Sequence, residues 1–233
     1  MTNDADGTNG PVVTLADAYA VVTPDDSRAL YARWAATYET DFVHGNGYLI
    51  PDQVAEEFAD VAGTLDGPVL DVGCGTGLVA VALVRDTAGE GVVWVIDGVD
   101  ISPAMLAQAA RKRRPDGTAL YRHLVEVDLT TDLSQRTDLV DAGYAGVISA
   151  GTFTHGHLGP ESLSALVQLG RPGAIFAIGI NAEHFQSRGF AECLRDEVES
   201  GRIRNLDPRI VEMYRPDSDH AGDQAVVAIF RRA

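Results

Sequence analysis

Positive charge is what this chain has least of. Its 233 residues hold 18 Lys and Arg against 34 Asp and Glu, for a formal net charge of −16, and Lys112 is the one lysine. The arginine bias among the basic residues reads as a coding preference. The shortage of basic residues argues against a nucleic-acid partner, because phosphate-backbone binders carry a basic footprint. It argues equally against an anionic membrane surface. Cysteine is scarce too. Cys74 and Cys193 alone give no disulfide framework and suit a reducing compartment, so a cytoplasmic location is expected. The N-terminus lacks the basic-then-apolar order of a signal peptide. No apolar run approaches the roughly 20 residues that cross a bilayer. Repeats and low-complexity linkers are absent after residue 10. No metal site is expected, since His155 and His157 have no third ligand at a sensible spacing.

What is present is enough apolar material for a sizeable core, 45% of the residues. Polar residues 1–10 are expected to be disordered. Residues 11–64 read as N-terminal helices. Thr23-Pro24-Asp25-Asp26 is a helix start with a cap, a proline and two acids. Leu30, Tyr31, Trp34 and Tyr38 follow at helical spacing, and the helix should stop near His44–Gly47. A second helix is expected over Pro51–Ala62. From Pro68, strand and helix signals alternate, with strands at Val69–Val72, Val92–Val99, Ala119–Val127, Tyr144–Ala150 and Ala174–Ile180. Helices fit between, at Leu78–Asp86, Pro103–Arg114, Leu133–Val140 and Glu161–Leu169. An amphipathic helix around Phe190–Val198 precedes two antiparallel strands, near Ile210–Tyr214 and Gln224–Arg231. The pattern predicts an α/β, Rossmann-like, doubly wound sheet of seven strands, mostly parallel, with an antiparallel edge strand and N-terminal lid helices. Residues 65–233 would form that domain.

The chemistry centres on Val69-Leu-Asp-Val-Gly-Cys-Gly-Thr-Gly77. An apolar strand ends at Asp71, and glycines follow at 73, 75 and 77 before the helix at Leu78. Such a turn lets backbone approach a ligand, with N–H groups facing an anionic part. The spacing G-x-G-x-G departs from the dinucleotide fingerprint G-x-G-x-x-G, whose last glycine is Leu78 here. Asp100 closes the second strand and can accept two ribose hydroxyls. Ile101 and Met105 supply an apolar wall for a purine. Asp97 is the local competitor to Asp100, placed mid-strand and expected at a bend.

Val69–Gly77 together with Gly98-Val-Asp-Ile-Ser-Pro-Ala-Met-Leu106 resembles the first two motifs of class I S-adenosylmethionine-dependent methyltransferases. Glu126-Val-Asp-Leu129 is similar to that family's third motif, and Arg171-Pro-Gly-Ala-Ile175 to the turn before its fifth strand. More narrowly, Tyr31-Ala-Arg-Trp-Ala-Ala-Thr-Tyr-Glu39 and Gly151-Thr-Phe-Thr-His-Gly-His157 resemble the Williams–Beuren-region methyltransferase-like proteins. The resemblance implies S-adenosylmethionine as cofactor. Asp71 and the backbone of Gly73, Cys74, Gly75 and Gly77 would hold its aminoacyl end, and Asp100 its ribose. Ile101, Met105, Asp128 and Leu129 would frame the adenine, with Ala150 beside the cofactor. Tyr31 and Tyr38 would close over the methionine moiety, although core packing of the same helix explains these aromatics as well. Cys74 reads as a small residue of a tight loop, not a nucleophile.

A bound sulfonium methyl needs only an aligned acceptor, exclusion of water and, for some acceptors, a base. His155 and His157, just past the fourth strand, are the candidate catalytic residues. His44 and His184 read as surface or capping residues. Phe185, Phe190, Tyr48 and Tyr214 are candidates to line an acceptor pocket, with Arg188 attracting an acid group. No Asn/Asp-Pro-Pro-aromatic sequence follows the fourth strand, which speaks against amino groups of DNA bases and glutamine as acceptors. The expectation is methyl transfer to a small molecule by a monomer or homodimer. The competing readings are a cofactor-binding module without transfer and a nicotinamide-dependent oxidoreductase.

Overall fold

The computed structural model describes residues 13–89 and 91–233; the disorder expected for residues 1–10 lies outside them. The chain opens with α1 (Leu15–Tyr19) and α2 (Pro24–Trp34), then a π-helical segment, Tyr38–His44, and α3 (Ile50–Ala62). There follow β1 (Val69–Val72), α4 (Leu78–Asp86), β2 (Ile96–Asp100), α5 (Pro103–Ala109) and β3 (His123–Glu126). Next come α6 (Thr137–Val140), β4 (Tyr144–Phe153), α7 (Pro160–Leu166) and β5 (Gly170–Asn181). The chain closes with α8 (Ala182–Ser187), α9 (Phe190–Glu199), β6 (Ile203–Glu212) and β7 (Gln224–Arg232).

The seven strands form one sheet in the order β3-β2-β1-β4-β5-β7-β6. The first five are parallel, and β7 runs antiparallel to both β5 and β6. The antiparallel strand therefore lies one place in from the edge, with β6 outermost. Two cores flank the sheet. Phe58, Val79, Leu83 and Leu106, from α3, α4 and α5, pack on one face. Leu139, Leu163, Phe190 and Leu194, from α6, α7 and α9, pack on the other. Burial on both faces explains why β1 is apolar throughout except at Asp71. The strand order reverses between β1 and β4, and a crevice opens there beyond the strands' carboxyl ends.

The N-terminal region differs from expectation in detail. Thr14 and Asp17 form a capping box that starts α1, an element not anticipated. The helix from Thr23 ends at Trp34, and the chain rewinds as the π-helical segment. Helix α3 lies on the sheet, with Val54, Ala55 and Phe58 fully buried. Its approach needs Gly146, where an added Cβ would stand 2.4 Å from Phe58 Cζ.

Other boundaries differ as well. Strand β2 starts at Ile96 because β1 offers no partner before Val69, and Val93 is left 81% exposed. Helix α5 stops at Ala109, and Arg114 instead donates to the Trp94 and Leu120 carbonyls at 2.5 and 3.0 Å. Strand β3 is confined to His123–Glu126. Strand β6 starts seven residues earlier than expected, since Asn205, at φ 54, bulges it and Pro208 sits on its open edge.

Asp97 is not at a bend. It is in register with Leu70 and His123 inside β2, and its carboxylate accepts from Arg122 at 2.6 and 3.0 Å, Tyr144 at 3.1 Å and the His123 N–H at 3.1 Å. Asp97→Ala is expected to destabilise the fold by about 1–3 kcal/mol, because the Tyr144 hydroxyl loses its buried acceptor. Urea unfolding measures this, and an unchanged midpoint would refute it.

Candidate active site

The turn after β1 is built on positive backbone angles. Gly73, Gly75 and Gly77 have φ of 63°, 53° and 94°, a region costly for any residue with a Cβ. Gly73 is also wedged: a Cβ there would lie 2.0 Å from Thr152 Oγ1 on β4. At Gly75 a Cβ would meet nothing within 4 Å, because the position faces open space. Two hydrogen bonds close the turn, from the Cys74 N–H to the Val99 carbonyl at 2.9 Å and from the Gly77 N–H to the Cys74 carbonyl at 2.8 Å.

Asp100 fastens this turn to β2. Its Oδ2 accepts the Gly75 N–H at 2.8 Å and its Oδ1 the Ser102 N–H at 2.8 Å. Burial pushes its pKa up to about 6, against the pull of those N–H groups. Asp71 lies wholly buried below. Its Oδ2 accepts from the Tyr121 hydroxyl at 2.6 Å, while Oδ1 has no partner. Desolvation carries its pKa up to about 7, opposed by the Tyr121 bond and aided by Asp100.

Above the turn lies a cavity of about 160 Å³. Its floor is Gly73, Cys74, Gly75 and Asp100. Ile101, Met105, Asp128 and Leu129 form one wall, and Ala150 and His157 another. Tyr31, Tyr38 and Tyr48 cover it. Most residues singled out from the sequence thus converge. Of the residues assigned to cofactor binding or catalysis, three do not border the cavity. Asp71 supports the turn from beneath, and Gly77 caps α4 with the Tyr121 ring 3.0 Å from where its Cβ would be. His155 stands apart, against Tyr19 and His184, with ring centroids 5.2 and 5.4 Å away, and its Nε2 is 3.7 Å from Glu183. Cys74 is buried, and its thiol is pushed well above the usual range, which rules out a resting thiolate.

His157 is the histidine that the cavity sees. Its Nδ1 is 2.9 Å from the His155 carbonyl, which can only accept, so Nδ1 carries the proton. In the neutral ring Nε2 is then an acceptor, and the Tyr31 hydroxyl donates to it at 2.8 Å. Desolvation lowers the His157 pKa and keeps the ring neutral, while burial raises that of Tyr31. The pair is a neutral base in contact with a neutral hydroxyl.

Several sequence candidates lie elsewhere. His184 is buried, not a surface residue, with Nε2 on the Leu158 carbonyl at 3.0 Å. Phe190 is core, and neither Phe185 nor Arg188 borders the cavity. Other residues carried no recognisable signal. Arg28 on α2 reaches Asp128 Oδ2 at 3.3 Å, and Lys112 holds Glu39 of the π-helical segment at 2.7 and 2.8 Å. These ion pairs tie the N-terminal elements to Asp128, which lines the cavity, and to Lys112 beyond α5. Among the described residues no Lys or Arg lines it, no group of three or more metal-type side chains is found, and no helix is long and apolar enough to cross a membrane.

Residues 69–173 match a family described as a methyltransferase domain. A ribosomal protein L11 methyltransferase of Pelotomaculum thermopropionicum is 34% identical over 139 residues, 56% of this chain and 40% of that protein. The chain thus spans less than half the length of this curated relative. Among solved structures, magnesium protoporphyrin IX methyltransferase from Synechocystis PCC 6803 with bound cofactor superposes with a TM-score of 0.62 at 17% identity, covering 92% of this chain and 99% of that one. A methyltransferase from Clostridium acetobutylicum gives 0.58 at 14% identity, covering 87% and 99%. At these identities the likeness concerns the fold.

The raised pKa of Asp71 has a stability consequence. A carboxylate whose folded pKa lies above its unfolded value destabilises the folded state above the folded pKa, and that penalty fades as pH falls toward the unfolded pKa. Asp71→Asn is therefore expected to be more stable than the parent at pH 8, by about 1–3 kcal/mol. The gain should shrink between about pH 7 and 4. Unfolding free energies across that range test the sign, and a gain independent of pH would refute the cause.

Proposed function

We propose that this chain, whose residues 69–173 form a class I S-adenosylmethionine-dependent methyltransferase domain, transfers the cofactor's methyl group to a hydroxyl of a small molecule. The observation that carries this reading is one cavity with the glycine turn and Asp100 on its floor and the Tyr31–His157 pair on its wall.

The residues suit the cofactor. Gly75 leaves the space a Cβ would fill. The Asp100 carboxylate, already oriented by two N–H groups, keeps lone pairs for two ribose hydroxyls. Ile101, Met105 and Leu129 offer an apolar slot for the adenine, with Asp128 at its edge. When bound, S-adenosylmethionine supplies an electrophilic methyl carbon on a sulfonium that leaves as a neutral thioether. The chain must orient an acceptor and take one proton. An acceptor hydroxyl donates to the Tyr31 oxygen, and Tyr31 passes its own proton to His157 Nε2. Tyr31 never carries full negative charge, which its burial disfavours. The His155 carbonyl steadies the imidazolium that results. Helix α2 and the π-helical segment act as the lid that excludes water. The narrower kinship with the Williams–Beuren-region methyltransferase-like proteins is part of this reading, because both segments that resemble them border the cavity.

A protein acceptor is the second reading, and the L11 methyltransferase relative favours it. Incubating the protein with S-adenosylmethionine and, separately, a metabolite extract and a ribosomal protein preparation decides between them. A methyl-sized mass gain in a metabolite supports the first reading, and one confined to protein supports the second.

Asp100→Ala is expected to weaken S-adenosylhomocysteine binding by about 1–3 kcal/mol in calorimetry, and unchanged affinity would remove the ribose role. His157→Gln should lower kcat at least about 100-fold while leaving cofactor affinity within about twofold. The wild-type kcat should fall on acidification with an inflection below the ordinary histidine range, and stay level above it, since His157 must be neutral and burial lowers its pKa. A variant with unaltered turnover would take His157 out of the reaction.

A further inference from the structure

We propose that the acceptor is an uncharged phenol bearing a second, hydrogen-bond-accepting oxygen; this rests on the methyl-transfer reading and names the substrate class of that site. Beside the main cavity is a smaller chamber of about 30 Å³. Both are bordered by Tyr31, Tyr38, Tyr48 and His157, and the chamber's far side includes Trp34 and Tyr214. The rings form a continuous set. Trp34 meets Tyr38 edge-on at 5.1 Å, Phe42 meets Tyr48 at 5.0 Å, and Tyr48 meets Tyr214 at 5.5 Å. Aromatic walls of this kind select a flat, apolar body.

Charge narrows the class. Among the described residues no cationic side chain borders either space, and the acids Asp100 and Asp128 have cofactor groups to serve. An anionic acceptor would lose its hydration with nothing to pair against. Two orphaned donors narrow it further. Trp34 Nε1 and the Tyr214 hydroxyl are buried without a hydrogen-bond partner. The indole N–H can only donate, so what satisfies it must bring a lone pair. At about 30 Å³ against about 160 Å³, the chamber is much the smaller of the two spaces. The smaller chamber is assigned the carbonyl oxygen and the larger cavity the ring. The ring is thus placed in the main cavity, its hydroxyl on the Tyr31–His157 pair and its carbonyl entering the chamber. Transfer breaks the phenol O–H, whose proton ends on His157, forms the oxygen–methyl bond, and leaves the electron pair of the broken carbon–sulfur bond on sulfur.

The test uses the full chain saturated with S-adenosylhomocysteine, titrated by calorimetry with the isomeric hydroxyacetophenones, the matching ethylphenols and the hydroxybenzoates. At least one hydroxyacetophenone is expected to bind about fivefold or more tighter than its ethylphenol, the worth of one neutral hydrogen bond. The charged hydroxybenzoate should bind more weakly than both. Trp34→Phe keeps a ring and removes the N–H. It should erase the ketone preference while leaving ethylphenol affinity within about twofold; Tyr214→Phe should reduce the same preference if Trp34→Phe does not fold. Equal binding of ketone and ethylphenol, tighter hydroxybenzoate binding, or no binding of any probe to cofactor-loaded protein would overturn the proposal alone. Failure of S-adenosylhomocysteine itself to bind would overturn the methyl-transfer reading, and this proposal with it.

Discussion

The Asp100 carboxylate accepts one N–H from the turn after β1 and one from the start of α5, each at 2.8 Å. The cavity depends on this double contact. Three alternating glycines with positive φ leave the turn many unfolded conformations to lose, so something must hold it. A buried carboxylate does so from the neighbouring strand, at the cost of a raised pKa. Asp71 and Tyr121 work from below. Tyr121 fills the space against Gly77 and Gly98 and donates to Asp71, so one side chain supports the turn and satisfies half of the acid beneath it. Both carboxylates are more costly in the folded state than in the unfolded one. A site that puts such groups under a flexible turn gives up stability for the placement of acceptor atoms.

The parts of the fold visible in the sequence were those set by local periodicity. Buried parallel strands read as apolar runs, and the glycine turn with Asp100 marked the β1 and β2 tips. The errors came where tertiary partners decide. Val92–Val95 has strand composition but no neighbour to pair with, so β2 begins at Ile96. Arg111 to Arg114 continue the helical composition of α5, yet Arg114 finds buried carbonyls elsewhere and the helix ends. Strand β6 is an outer strand bulged at Asn205 with Pro208 on its open edge, and its polar edge hid it.

The site shows the same division. Glycines, acids and apolar framing residues were found because their spacing has a local mechanical meaning. Tyr121, 50 residues from Asp71, and Arg28, 100 residues from Asp128, give no such signal. Their roles exist only once α2 packs beside α5 and β3 returns beside β2. The two histidines illustrate the limit of sequence spacing. They are two residues apart on one loop, yet His157 borders the cavity while His155 turns to Tyr19 and His184. Gly156 makes that divergence possible. It adopts φ 75° and passes so close to α1 that a Cβ would lie 2.6 Å from the Val21 carbonyl and 2.9 Å from that of Tyr19.

That contact links the N-terminal elements to the reactive centre. The loop that carries His157 packs through Gly156 against the carbonyls of α1 and the turn after it. Those elements are also held by Arg28 on Asp128 and Lys112 on Glu39. Both ion pairs are partly exposed, so each contributes modestly. Their value is geometric, because they fix α2 to Asp128 and the π-helical segment to Lys112. In the proposed reaction, exclusion of water from the cavity and the lowered pKa of His157 would share one cause. A closed N-terminal cover desolvates the imidazole, which keeps it neutral and able to take a proton, and it also keeps water from the methyl group. An opened cover would rehydrate the ring, raise its pKa toward the ordinary value and remove the Tyr31 hydroxyl from Nε2. In the proposed reaction, base strength and exclusion of water would therefore depend on the same N-terminal elements.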